Sequence, residues 1–538
     1  MESAFFENLT LLANKIRKEE TTMLKKSLAL LLVLASVAGV LAGCGGVNLG
    51  GVDLKTPIVY PNIENYETPN FNGETLELYM TANNDFEAEG CYADKAISKT
   101  LNLNLVIKEL DAFDSQYNPM LAEGDIPSLT VRNSWTNANN QLGEDGAMVN
   151  IYDYLDAMPH VKWYLENTED GKNFVRDYSY KEGVLYGVPV IESGSAACYG
   201  FLYRKDIFEK NDMEFPTTEE DFYNTLMKLK SLYPNSYPLV LRGLSGTMGS
   251  LSAWGYNWGI GHQMFGVKNS IFTLQDGKFV FAQTTDTYKE LVIYIKKLLG
   301  EGLLHPSSMT MDTSGWTEAF ASDKSFISFD KMDRLPALNL AGTQLNPDFK
   351  LLGTTGIPFG ENGRIETQVV DKVVRVWMIG YNEQLSTTLQ YVDWLYSEQG
   401  IEVTNWGIEG ESFRVDENGE KELILDFVNA QGSFNATGFG MGGIAGYKDF
   451  NSYLSACDEE MRESIAICLQ KATADPQVLL AYTGNDQLVI DTYANSAMTY
   501  AGSQLAKFVM NQRSMDEWDA YVSDINSKYH LEELKTAH

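Results

Sequence analysis

Between Thr75 and Met80 the chain reads Thr-Leu-Glu-Leu-Tyr-Met, alternating apolar and polar side chains with the two-residue period of a strand. Asn83, Asn84 and Asp85 then open a helix running through Lys99, and Leu101 to Ile107 makes a second strand, so the first patterned stretch predicts a β-α-β unit. Another follows, in which Tyr117 to Ala122 is helical, Gly124-Asp125-Ile126-Pro127 breaks the helix, and Ser128 to Arg132 forms a short strand leading into a loop at Ser134 and Trp135. This alternation predicts an α/β fold with mainly parallel sheets covered by helices. Ligands in such folds bind beyond the carboxyl ends of the strands, where Asn84, Asp85 and Trp135 fall.

The pattern before the first strand has a different meaning. From Met23, Lys25 and Lys26 precede an apolar run, Leu28 to Val40, that is too short to span a bilayer and ends in Leu41-Ala42-Gly43-Cys44. These features predict a secretory signal over residues 1–43, with Met23 as the true start because Met1 to Thr22 fits no signal architecture. Leu-Ala-Gly-Cys resembles the lipobox of bacterial lipoproteins, which implies that Cys44 is lipidated, becomes the mature N-terminus and anchors the chain to the extracellular face of the cell membrane. Residues 44–72 are rich in Gly, Pro and Asn and read as a flexible tether. The roughly 465 residues from Gly73 onward exceed one ordinary core, so two lobes are expected.

The formal charge of −32 and the absence of a basic cluster argue against a nucleic-acid partner. Cys91, Cys198, Cys457 and Cys468 show no C-x-x-C spacing, and the five histidines include no H-E-x-x-H, so neither a metal nor a cofactor is expected. If Cys457 and Cys468 share an unbroken helix they stand roughly 16 Å apart and cannot bond each other.

Further along, Leu185-Tyr186-Gly187-Val188-Pro189-Val190 is followed by Phe201-Leu202-Tyr203-Arg204-Lys205-Asp206 and then Phe215-Pro216-Thr217-Thr218-Glu219-Glu220. This series resembles the family 1 extracellular solute-binding proteins of ABC importers, with their Tyr-Gly-Ile-Pro-like crossover, Tyr-Arg-Lys-Asp strand end and Pro-x-Thr helix start. More matches come in family order: Leu129 after Gly-Asp-x-Pro, a helix end over Leu298 to Pro306, Tyr391 to Gly400, and Trp406-Gly407-Ile408-Glu409-Gly410-Glu411, which resembles an element of the large sugar-binding lipoprotein branch. Departures are Trp406 where that element has Tyr, and Asp323-Lys324 where Gly-Lys is usual. The resemblance implies a two-lobed, type II periplasmic-binding-protein-like fold with a mainly parallel sheet in each lobe, a ligand cleft between them and C-terminal helices. Lobe one is expected at 73–189 and 376–473, and lobe two at 190–375 and 474–538.

A sugar presents apolar faces and a ring of hydroxyls, so its site needs flat aromatic surfaces edged by fixed polar groups. Trp135, Trp254, Trp258 and Trp316 stand among Gly and Ser in predicted loops, and Trp406 lies in the family element; each ring equally reads as the cap of a hydrophobic core. Trp163, Trp377, Trp394 and Trp518 read as core. Asp85, Glu192, Asp330 and Glu411, with Asn84, are placed to accept hydroxyl hydrogen bonds, and Arg334 to donate a fork; solvated acids or a surface ion pair are the plainer alternatives. Arg204 and Lys205 end a strand that reads as structural. The expected function is capture of a carbohydrate by a monomer that delivers it to the permease subunits of an ABC importer. A binder of peptide or another polar nutrient is the alternative, and a glycoside hydrolase would need a facing acid pair that no motif here supplies.

Overall fold

The computed structural model describes residues 58–537, apart from 82–86, 111–112, 134–136, 193–197, 243–252, 262–271, 276–277, 369–372, 426–436, 441–442 and 474–483. The signal segment with Cys44, and the site candidates Asn84, Asp85 and Trp135, lie outside the described residues, as does the side chain of Glu192. Among the described residues no helix is long and apolar enough to cross a membrane.

The strands are β1 (Thr75–Thr81), β2 (Asn104–Leu110), β3 (Leu129–Asn133), β4 (Val188–Glu192), β5 (Tyr199–Arg204), β6 (Thr273–Gln275), β7 (Lys278–Val280), β8 (Ile327–Lys331), β9 (Leu351–Thr354), β10 (Thr367–Gln368), β11 (Val373–Ile379), β12 (Phe413–Val415), β13 (Lys421–Leu423), β14 (Tyr447–Lys448) and β15 (Ala472–Thr473). Six form a sheet in the order β14-β4-β11-β3-β1-β2, and β11 alone runs against its neighbours. In β1, Leu76, Leu78 and Met80 are buried as alternation predicts, while β11 is a nearly continuous apolar run because a central strand is covered on both faces.

A smaller sheet has the order β8-β5-β9, with β5 antiparallel to both neighbours. Parallel bridges from Leu239 to Ile327 and to Leu304 extend its edge, so here too one strand opposes the direction of the rest. The chain passes from the larger sheet to the smaller between β4 and β5, returns between β9 and β11, and leaves again after β14. β10, in the second passage, pairs in parallel with β15. The helix Glu459–Gln470, grouped by sequence with the first lobe, lies against β9 of the smaller sheet.

Helix boundaries follow local chemistry. The first described helix, Tyr92–Leu101, starts later than the pattern predicts: Glu87 to Gly90 are not helical, Gly90 has φ +76°, and the Cys91 sulfur caps the helix by accepting from Asp94 N. In the Pro-x-Thr element Thr218 caps Glu219–Leu232, its hydroxyl accepting from Asp221 N at 3.1 Å. Cys457 lies between the helices Phe450–Ser455 and Glu459–Gln470, the second capped by Asp458, so the unbroken-helix spacing to Cys468 does not apply.

One core surrounds the larger sheet and contains Trp377 and Trp394, with Trp163 half-buried beside it. The other gathers Phe201, Trp254, Trp258 and Phe359 with the C-terminal helices, where Trp518 packs between Phe508 and Tyr521. Gly484–Val509 lies along Asp286–Gly300, and the Tyr521 hydroxyl donates to Gln283 O at 3.1 Å. Arg204 is fully buried over the Phe349 ring, paired with Asp206 and Asp323 at 2.7 and 2.5 Å, which fits its structural reading.

Candidate functional site

A buried polar cluster beside an aromatic ring forms where β8 ends. Ile327–Lys331 is a buried strand that carries Asp330 to the edge of the smaller sheet, opposite Gly200, with Lys331 opposite Tyr199. Pro238-Leu239-Val240-Leu241 runs beside β8 and delivers Arg242 to the same edge. Arg242 grips Asp330 with two parallel bonds, Nε to Oδ2 at 2.7 Å and Nη2 to Oδ1 at 2.9 Å, and its Nη1 donates to Thr313 Oγ1 at 3.0 Å. The guanidinium lies 5.1 Å from the Trp316 ring centre, and the Trp316 indole donates to Ser328 Oγ at 3.0 Å.

Electrostatics lock this arrangement. Burial alone would raise the Asp330 pKa, but the charge and hydrogen bonds of Arg242, the charge of Arg334 and the Lys331 N–H hold it below the ordinary carboxylate value. Burial likewise opposes the charge on Arg242, and Asp330 more than restores it, so its pKa is raised. Asp330 is thus an ionised carboxylate whose oxygens accept three bonds at 2.7–2.9 Å, leaving about one acceptor position open out of roughly four. The result is a preorganised, dipolar edge with an aromatic ring under it.

Of the residues expected from sequence, Asp330, Arg334 and Trp316 come together. Arg334 ends the short helix Met332–Arg334, its Nε 3.7 Å from Asp333 Oδ1. Trp316 is only 1% exposed, so it supports the guanidinium from below rather than presenting an open platform.

Other expectations need correction. Trp254 is fully buried among Phe201, Phe222, Tyr294 and Phe359, and Trp258 stacks on Phe359 at 5.3 Å; both belong to the second core rather than to cleft loops. Their Gly neighbours misled: Gly255 and Gly259 serve close packing and a left-handed turn, Gly259 with φ +85°. Trp406 is also buried, and its indole donates to Asp449 Oδ2 at 2.7 Å, fixing the acid that caps Phe450–Ser455. Glu411 is exposed and pairs with Lys99 at 2.5 Å on the surface of Tyr92–Leu101. The family element is therefore a turn, tied by Ser412, whose hydroxyl accepts from Ile408 N at 2.8 Å and donates to Trp406 O at 2.6 Å. Arg242 and Thr313 were missed by sequence reasoning, although the apolar run ending in Arg242 has the form of a strand end.

No family model matches the chain. The lipoprotein LipO of Bacillus subtilis (strain 168) is 21% identical over 315 residues, spanning 56% of this chain and 60% of that protein. FusA, the fructooligosaccharide ABC transporter substrate-binding protein of Streptococcus pneumoniae serotype 4, is 22% identical over 456 residues, 78% of this chain and 80% of that one. The structure of FusA in complex with kestose superposes with TM-score 0.66 at 17% identity, covering 86% of this chain and 97% of FusA. The alginate-binding protein AlgQ2, solved without calcium ion, gives TM-score 0.74 at 19% identity and covers 87% and 99% of the two chains. The chain thus shares the fold of these solved binding proteins, and its sequence is similar to those of LipO and FusA at 21% and 22% identity.

Proposed function

We propose that this protein is a lipid-anchored, extracellular solute-binding protein that captures an oligosaccharide by closing two lobes and hands it to the permease of an ABC importer. The observation that carries the reading is the sequence likeness to FusA, a protein named for fructooligosaccharide, along most of both chains. The paired Arg242 and Asp330 beside Trp316 support it, because a fixed fork and carboxylate at a sheet edge suit vicinal hydroxyls. We group the lobes about the two sheets, with Glu459–Gln470 joining the second, and read the protein as a monomer without catalytic residues.

Cys44 is proposed as the lipid anchor, so Cys44→Ser should abolish metabolic lipid labelling; labelling that persists would remove the anchor from the reading. The binding test is a thermal-shift and calorimetric screen of the mature protein against oligosaccharides and peptides, since a ligand selective for the native state raises its melting temperature. The expected result is stoichiometric binding of an oligosaccharide that is recovered intact, with a smaller radius of gyration in scattering. Binding of peptides alone would replace the carbohydrate assignment, and product accumulating beyond one equivalent would replace binder with hydrolase.

A further inference from the structure

We propose that Cys198 and Cys468 are a modification site, a dithiol that closes to an intramolecular disulfide tying the start of β5 to the helix Glu459–Gln470. Cys198 stands at the entry to β5, where the first passage from the larger sheet ends. Strand alternation puts its side chain on the same face as Gly200. That face is covered by Cys468: a Cβ built on Gly200 would come within 2.9 Å of the Cys468 sulfur, and the Cys468 thiol donates to Tyr199 O at 3.3 Å. Gly200 therefore lets Cys468 settle onto the face of the strand that also carries Cys198.

The pair sits where the passages meet. Cys468 O accepts from Thr367 Oγ1 at 3.2 Å in the second passage, and Met332 N donates to Cys198 O at 3.0 Å just after β8. A bond between the sulfurs would join segments far apart in sequence, and the stabilisation from a cross-link grows with the loop it closes. Both thiols are free and buried, and donation from the Cys198 thiol to Cys468, together with burial, raises the Cys198 thiol well above its usual value. Reaction therefore proceeds through transient opening at the passages, and the pair is protected from casual oxidation.

The chemistry is exchange with an external disulfide, the oxidant class available outside the cell. One thiolate attacks it, forming a mixed disulfide and releasing one thiol; the second thiolate displaces the other. The Cys198–Cys468 bond forms, the reagent's sulfur–sulfur bond is reduced, and the two thiol protons end on the two released thiols. Supply of oxidant in the cell rests on the extracellular reading, but formation of the bond by purified protein does not.

The test incubates the reduced, purified full chain with oxidised glutathione at pH 8 and maps its peptides without reduction. The expected result is a Cys198–Cys468 cross-linked peptide in most molecules, with Cys91 and Cys457 still alkylatable on denaturation. The melting temperature should rise by about 3 °C or more and return on adding dithiothreitol. Cys198→Ala and, separately, Cys468→Ala should remove both the cross-link and the shift; the peptide map of the unmodified chain decides the matter even if a variant fails to fold. Recovery of both cysteines only as separate peptides, pairing of either with Cys91 or Cys457, or a fall in melting temperature on cross-linking would overturn the proposal. Oligosaccharide binding measured on the reduced protein keeps the two readings apart, because it can fail while the bond forms and succeed while it does not.

Discussion

Replacing Trp254 with alanine separates a packing role from a binding role, since sequence placed this ring in a cleft loop and the structure places it in a core. A tryptophan buries roughly 200–250 Å², which at about 25 cal/mol per Å² gives about 5–6 kcal/mol as an upper bound. Its neighbours are large and rigid: Phe359, Phe201, Phe222 and Tyr294 have ring centres 5.2, 6.0, 6.1 and 6.2 Å away, so the space left behind collapses poorly. Against this, the indole N–H is buried with no hydrogen-bond partner among the described residues, a cost of about 1–3 kcal/mol that the substitution relieves. The net expectation for Trp254→Ala is a loss of about 3–4 kcal/mol, read from urea unfolding followed by circular dichroism at constant m-value. Trp254→Phe keeps most of the ring and deletes the unpaired donor, so it should lose less than half as much. A loss under about 1 kcal/mol for the alanine variant, accompanied by weakened oligosaccharide binding, would refute the packing assignment and return Trp254 to the site.

Arg242→Met should cost about 3–5 kcal/mol by stranding the buried Asp330 carboxylate, and calorimetry showing a change within about 0.5 kcal/mol would mean that the pair is not desolvated. Asp330 titrates lower when folded, so its contribution in the unmodified protein is present above the ordinary carboxylate pKa and is lost only as pH falls through the depressed value; without Arg242, burial raises that pKa instead, so the stranded carboxyl takes up a proton in acid and the substitution should hurt more at pH 7 than at pH 4, which unfolding at the two pH values would show. Lys205 and Lys350 hold Glu460 at 2.6 and 2.8 Å and lower its pKa, but these groups are partly exposed. Glu460→Gln should therefore cost at most about 1 kcal/mol after screening, and less in high salt; a larger, salt-independent loss would contradict a screened pair.

The architecture was legible wherever a local rule agreed with its tertiary setting. Alternation in Thr75–Thr81, the Thr218 cap and the apolar density of Val373–Ile379 each predict the element that forms. The site was harder to read because a tryptophan among glycines looks the same whether glycine serves a mobile loop or close packing, as at Gly259 beside Trp258. Asp330 was visible as an acid at a strand end, but its partner Arg242 comes from a distant segment that local pattern cannot pair with it. Glu411 shows the reverse error: a motif matched by sequence carries a surface ion pair and a turn.

The placement of β11 also constrains how the protein comes to fold. β11 lies between β3 and β4, so the residues that complete the middle of the larger sheet lie just over half the chain length beyond its first strand. As the chain emerges from its N-terminus, Leu129–Asn133 and Val188–Ile191 present edges with no strand between them until Val373–Ile379 follows. Such non-local closure slows folding, and unpaired edges invite contact with other chains. The vulnerable interval is set by the strands of the second sheet, Tyr199–Arg204, Ile327–Lys331 and Leu351–Thr354, which must all be made before the first sheet can be completed.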